Sequence, residues 1–198
     1  MPSPQTLLQL AGANLLPAKI EDACLVFIDL QNEYVEGPIA VTGSKDAIAE
    51  AARLLDVARD CRSPIVHVAH KGVTGGLFDR TAHCGQFVGP LTPSVGEVSI
   101  EKRLPNAFAG TELDEILRAT GRTELIVCGF MTHMCVSSTA RGALDLGYRV
   151  TVAAPACATR DLPSGYGGTL AAGLVHEVAL AELADRFAII ALETSMLH

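Results

Sequence analysis

The chain has 198 residues, of which 49% are hydrophobic and 19% charged, with 18 Gly, 10 Pro and a formal net charge of −7. This is the composition of one globular domain with a core of its own, and it excludes a disordered, collagenous or coiled-coil chain. The 15 Lys and Arg against 22 Asp and Glu leave no basic footprint of the kind a nucleic-acid partner requires.

A single domain is expected over residues 1–198, with 1–20 as an N-terminal extension. That extension has no basic leader before its apolar stretch and is interrupted by Pro2, Pro4 and Pro17, so no signal or transit peptide is expected. The most apolar long stretch, residues 169–184, carries His176, Glu177 and Glu182 and falls short of the roughly 20 apolar residues of a membrane span. A cytoplasmic protein with no membrane partner is the expectation. The cysteines, at 24, 61, 84, 128, 135 and 157, lack close pairing and read as free thiols.

Residues 23–30 (ACLVFIDL) form a short, nearly continuous apolar run, the pattern of a strand buried on both faces of a parallel sheet. Helical spacing follows over 44–61, with Ile48, Ala51, Ala52, Leu55 and Ala58 as a stripe and Ser44 as the N-cap. A second strand is predicted at 64–70 and a third at 97–102, separated by an irregular, Gly-rich segment from 71 to 96. A connection that long carries function or an interface in a compact domain. The second half predicts a helix over 111–119, a strand over 123–129, a helix over 132–146 and a strand over 148–154. A loop with Asp161, Pro163 and Gly165 then leads to a long helix ending near 184 and a final strand at 187–191. Strands alternating with helices imply right-handed crossovers. The predicted fold is α/β: a three-layer αβα sandwich around a doubly wound, mostly parallel, six-stranded sheet. The first strand runs into LQNEYVEGP rather than G-x-G-x-x-G, which argues against dinucleotide binding.

In such a sheet the ligand crevice lies beyond the carboxyl ends of the strands. Asp29 ends the first strand, Lys102 ends the third, and Cys135 follows the fourth. Singly, each has an ordinary structural reading as a turn cap, a solvated strand end and a small buried hydrophobe. Together they supply the parts of nucleophilic acyl transfer. A cysteine in the first turn of a helix sits at the positive end of the dipole, and Lys102 adds a full positive charge. Asp29 offers a carboxylate that takes the thiol proton and returns it to a leaving amine. Backbone N–H groups at the helix start would face the oxyanion. On this reading the Cys135 sulfur is expected to be ionised at neutral pH.

Residues 67 and 70 of one strand point to opposite faces, so His67 and His70 do not chelate one ion, and neither metal nor cofactor is expected. His133 and Cys135, two apart on a helix, do not face each other. His176 reads as helix surface or packing. For the pocket wall the candidates are Gln31, Tyr34, His70, Phe108 and Thr132, while Phe78 and Phe87 would cover the pocket or join a neighbouring subunit.

FIDLQNEY at 27–34, K-x-x-x-N-A-F-x-G-T-x-L at 102–113 and G-F-M-T-H-M-C-V-x-S-T-A-R-x-A-L-D-L-G-Y at 129–148 resemble the isochorismatase-like cysteine hydrolases, in order and over about residues 20–190. The resemblance implies Cys135 as nucleophile, Asp29 as proton acceptor and Lys102 as the stabilising cation. It also implies a cis peptide between Phe130 and Met131, an oxyanion hole built from the N–H groups of Met131 and Cys135, and a homo-oligomer (dimer or tetramer). Isochorismatase proper lacks the nucleophilic cysteine, so Cys135 points to the amidohydrolase branch, acting on a small amide or N-carbamoyl compound. The Asp-x-His…His metal set of nicotinamidases has no counterpart at His67-Val68-Ala69-His70. The competing readings are a vinyl-ether hydrolase that uses Asp29 without a covalent step, and a non-catalytic or redox thiol protein on the same scaffold.

Overall fold

The computed structural model describes residues 3–198. Strands β1 (Ala23–Ile28), β2 (Ile65–His70), β3 (Val98–Lys102), β4 (Glu124–Phe130), β5 (Arg149–Ala158) and, near the C-terminus, Ile189–Ala191 build one six-stranded sheet. Two further short strands precede the last of these. β6 (Leu162–Pro163) and β7 (Thr169–Leu170) form a separate antiparallel hairpin, so Ile189–Ala191 is β8. The sheet order is β3-β2-β1-β4-β5-β8 with every pairing parallel. Helices α1 (Leu7–Leu10), α2 (Ser44–Asp60), α3 (Leu113–Ala119), α4 (Ser137–Asp145) and α5 (Ala172–Arg186) complete the chain. The fold is the α/β sandwich that the alternation of elements predicts.

All six residues of β1 are buried, which is why its sequence is apolar without alternation. From β1 the chain winds outward through β2 to β3, then returns to the other side of β1 for β4, β5 and β8. The direction of winding therefore reverses between β1 and β4, and the ends of these two strands are where a sheet of this kind places its ligand. β4 lies so close to β1 at this point that a Cβ on Gly129 would meet the Ile28 carbonyl oxygen at 1.9 Å; its φ of 126° also excludes other residues.

Several boundaries differ from the sequence reading for identifiable reasons. The α2 N-cap is Gly43, in the left-handed region at φ 75°, and Ser44 is already helical. The buried face of α2 uses Leu54 in place of the predicted Ala52. β5 runs to Ala158 instead of stopping at 154. Its continuation contains Pro155, which cannot donate to a ladder, so the sequence pattern of a strand fades there. The predicted helix over 132–146 begins with a wide π-helical turn, Thr132–Val136, in which the Val136 N–H donates to the Met131 carbonyl five residues back at 3.3 Å. α1 and the β6–β7 hairpin add to the elements that periodicity predicts. α1 sits on α5, where the Leu7 N–H donates to Asp185 Oδ1 at 2.8 Å.

One ionic cluster ties the edge of the sheet to α2. Glu97 Oε1 accepts from Arg59 Nε at 2.7 Å, and Oε2 lies 2.9 Å from Nε2 of the buried His67. The Arg59 hydrogen bond is the largest influence holding the Glu97 carboxyl down, at about 2; burial holds the His67 imidazole below its ordinary value. Both groups bind protons more weakly folded than unfolded, so each contributes stability that is present at neutral pH and lost on acidification. The urea midpoint is expected to fall as pH drops from about 6 toward about 3, and Glu97→Gln should flatten the part below about pH 4.5. An unchanged slope in the variant would remove this cluster from the acid response.

Candidate active site

Asp29 follows the last residue of β1 with φ at 51°, a left-handed conformation uncommon outside glycine. Its side chain is fully buried. In the β2–β3 pairing His70 and Lys102 are register partners, so the two side chains leave one face of the sheet side by side. Cys135 reaches the same point from the π turn after β4. The Phe130–Met131 peptide just ahead of that turn is cis.

These elements converge on the Lys102 ammonium. Nζ lies 2.6 Å from Asp29 Oδ2, 3.2 Å from Cys135 Sγ and 3.2 Å from His70 Nδ1, and the Lys102 side chain has no solvent exposure. The expected grouping of Asp29, Lys102 and Cys135 is thus present as a contact constellation. The expectation of a resting thiolate is not met. Burial, reinforced by the negative charge of Asp29, pushes the Cys135 thiol up to about 12, with Lys102 pulling the other way. Burial also raises the Asp29 carboxyl, against the pull of Lys102. One ammonium faces two acids, so the dry site holds one negative charge comfortably and the sulfur keeps its proton at rest.

Ligand atoms of Asp29, His70 and Cys135 all lie within 4.8 Å of one another, a spacing that suits a metal ion. The ammonium of Lys102 already touches all three and supplies the positive charge their donor set would accept, so these residues do not fit a resident metal without displacing it.

Tyr34 is buried beside the constellation, its ring 5.1 Å from Phe78 and 5.8 Å from Phe130. Burial, with the charges of Asp29 and Cys135, raises its phenol. Three of the pocket-wall candidates have partners within the fold. Gln31 is fully buried and spent on the backbone, donating to the carbonyls of His70 (3.0 Å) and Gly85 (2.7 Å) and accepting from the His70 N–H (2.8 Å). Thr132 Oγ1 shares a 2.9 Å hydrogen bond with His176 Nδ1 of α5. Phe108 stacks on Tyr148 at 6.0 Å. Each has a satisfied structural partner that strand and loop spacing could not reveal. His133 is bonded to Thr159 Oγ1 at 2.6 Å, in keeping with a structural role.

The long segment 71–96 is pinned down. Phe78 turns back in a left-handed conformation (φ 57°), its N–H donating to the buried Glu33 at 2.9 Å and its ring packing 4.8 Å from His70. Asn32 Nδ2 donates to the His83 carbonyl at 3.0 Å and Val88 N–H to that of Leu30 at 2.9 Å. Phe78 packs against Tyr34 and His70 beside the constellation, whereas Phe87 packs edge-on against His67. Sequence reasoning missed Glu33 and also Arg160, two residues past β5. Arg160 Nε is buried without a hydrogen-bond partner, no carboxylate pairs with its guanidinium among the described residues, and its charge is felt by Tyr34 and His133. Extending β5 through Pro155 would have placed Arg160 on the crevice edge.

Residues 23–194 match the family description Isochorismatase domain. The chain belongs to the isochorismatase family of hydrolases. A relative within the family, the secreted isochorismatase effector Isc1 of Verticillium dahliae, is 40% identical over 86% of this chain and 87% of its own. An isochorismatase from Pseudomonas putida KT2440, known as a crystal structure, is 46% identical with a TM-score of 0.95 over 99% of this chain and 100% of that one. Maleamate amidohydrolase of Pseudomonas putida is 29% identical over 65% of this chain and 68% of its own. Family membership agrees with the resemblance carried by the three sequence motifs, and isochorismatase-family hydrolases thus include at least one amidohydrolase. Among the described residues no helix is long and apolar enough to cross a membrane.

Proposed function

We propose that this protein is a metal-independent cysteine hydrolase that cleaves a C–N bond in a small amide or N-carbamoyl compound bearing a carboxylate. The observation that carries the reading is the Lys102 ammonium, in contact with both the Asp29 carboxylate and the Cys135 sulfur. In the first half-reaction Asp29 takes the Cys135 proton as Sγ attacks the carbonyl carbon. The oxyanion forms against the N–H groups of Met131 and Cys135. Asp29 then gives its proton to the departing nitrogen, and ammonia or an amine leaves a thioester on Cys135. In the second half-reaction Asp29 deprotonates water, which attacks the thioester, releases the acid and restores the thiol. Lys102 offsets whichever negative charge is present, so the dry site never holds an uncompensated one.

Arg160 supports a carboxylate on the substrate: its Nη1 donates to the Asp161 carbonyl at 3.2 Å, but its buried Nε has no partner and no carboxylate neutralises the guanidinium among the described residues, which leaves it able to take an acid. Maleamate, named for the relative, is such an acid amide. A panel of dicarboxylic monoamides, N-carbamoyl amino acids, neutral amides and pyridine carboxamides should be assayed for ammonia release, with mass spectrometry of quenched enzyme. Turnover of acidic members and an acyl mass on Cys135 are expected, and Arg160→Met should raise KM for acids about 10- to 100-fold while sparing neutral amides. Turnover undiminished in Cys135→Ala would refute the covalent route.

The names of the Verticillium and Pseudomonas isochorismatase relatives favour a second reading, vinyl-ether hydrolysis of isochorismate through Asp29. Isochorismate conversion that survives Cys135→Ala would select it. The six free cysteines support a reducing, cytoplasmic location. Self-association into a dimer or tetramer is part of the same proposal, supported by the exposed Leu170, Leu174 and Val178, which line one groove with His133, and it predicts a multiple of 20.8 kDa by light scattering.

A further inference from the structure

A lysine ammonium has three N–H donors and no acceptor. In this site the ammonium lies against three groups: it forms an ion pair with Asp29 Oδ2 at 2.6 Å, donates to Cys135 Sγ at 3.2 Å and meets His70 Nδ1 at 3.2 Å. An ammonium can only donate, so His70 Nδ1 must carry a lone pair and the ring proton must sit on Nε2. We propose that His70 is a positioning residue of the reaction centre: its neutral imidazole takes the third N–H of Lys102 and thereby holds the other two on the base and the nucleophile. This rests on the cysteine-hydrolase reading above and adds to it a device that fixes where the cation points.

The surroundings of His70 are built for that task. Gln31 grips its backbone from both sides, through the N–H (2.8 Å) and the carbonyl (3.0 Å). The Phe78 ring lies against the imidazole at 4.8 Å, and Phe78 is in turn held by Glu33 through its N–H at 2.9 Å. Without a third acceptor, a buried lysine would keep one unsatisfied N–H and rotate about its Cε–Nζ bond to share it. That rotation would loosen the contacts to Asp29 and Cys135 together. The ionisable groups facing the ring are Lys102 from β3, with Asp29 after β1 and Cys135 in the π turn nearby; the loop contributes only Phe78. Burial and the Lys102 charge hold the imidazole down at about 4, so it stays an acceptor at neutral pH. Gln31 and Glu33, whose side chains are turned to backbone groups, act through this residue and touch no substrate.

The direct test needs no substrate. Nitrogen-15 NMR of histidine-labelled enzyme at pH 7 is expected to show His70 as the neutral Nε2–H tautomer, and Lys102→Met should release that preference. An Nδ1–H tautomer or an imidazolium at pH 7 overturns the proposal. Iodoacetamide alkylation of Cys135 at pH 8 should fall about tenfold in His70→Leu and return in His70→Asn, whose amide oxygen replaces Nδ1 as acceptor. A rate in His70→Leu equal to or above that of the unaltered protein also overturns it. With a substrate in hand, His70→Leu should lower kcat about 10- to 100-fold with KM little changed. The tautomer and alkylation readouts stand whether or not amides prove to be substrates, so failure here is distinguishable from failure of the C–N hydrolase reading.

Discussion

Cys135→Ala is expected to lower amide hydrolysis by about 10⁴-fold or more and to abolish the acyl adduct, with the fold intact. The magnitude follows from what is left behind. Asp29, Lys102 and the backbone donors after β4 remain, but the thiol in contact with Lys102 is gone. Cys128 and Cys157, buried thiols of β4 and β5, have burial as the main cause of their raised pKa values, with no lysine among the influences on them. The substitution removes one sulfur from a packed setting next to Val136 and Met131, so the thermal midpoint should move by only a few degrees. Steady-state ammonia release and intact-mass measurement on the same sample separate a chemical loss from an unfolded one. Residual activity within tenfold of the unaltered protein would transfer the chemistry to Asp29 alone.

Lys102→Met should damage both stability and catalysis, with a pH signature that tells the two apart. The substitution keeps an unbranched side chain one atom shorter but leaves Asp29 buried without the Lys102 charge. Breaking a buried pair from one side costs roughly 3–5 kcal/mol while the remaining group stays charged. Asp29 escapes by taking a proton, so its carboxyl rises further above the ordinary aspartate range. The sign follows: a carboxyl raised in the folded state destabilises the protein as pH climbs through its folded pKa, and costs least below the unfolded value near 3.9. Urea midpoints for Lys102→Met should therefore approach those of the unaltered protein in mild acid and fall away toward pH 8. Activity should drop about 10²- to 10⁴-fold at neutral pH, because a protonated Asp29 cannot accept the thiol proton. An equal loss of stability at pH 5 and pH 8 would show that Lys102 packs rather than neutralises.

These expectations explain why a site of three ordinary residue types behaves as a unit. In water the Coulomb energy of such contacts is small. In a dry crevice it decides protonation states. The resting thiol is the clearest instance. Sequence reasoning counted charges near Cys135 and concluded that it would ionise; burial, which has no signature in residue spacing, outweighs the lysine and leaves the proton for Asp29 to remove.

The order of elements, the buried parallel strands and the meeting of Asp29, Lys102 and Cys135 at the strand ends were legible without coordinates. Each follows from local periodicity or from the rule that polar residues at parallel strand ends face the ligand crevice. Only the tertiary structure decided which side chains still had hydrogen-bonding capacity to offer a substrate. Gln31, polar and adjacent to the trio, is spent on the backbone of His70 and Gly85, and Thr132 Oγ1 is engaged by His176. Arg160, hidden behind a proline in an unrecognised stretch of strand, keeps an unpaired donor. The pairing of His70 with Lys102 depends on a β2–β3 register between residues 32 apart. Periodicity is a property of neighbours along the chain, whereas satisfaction of a donor depends on segments that meet only after folding.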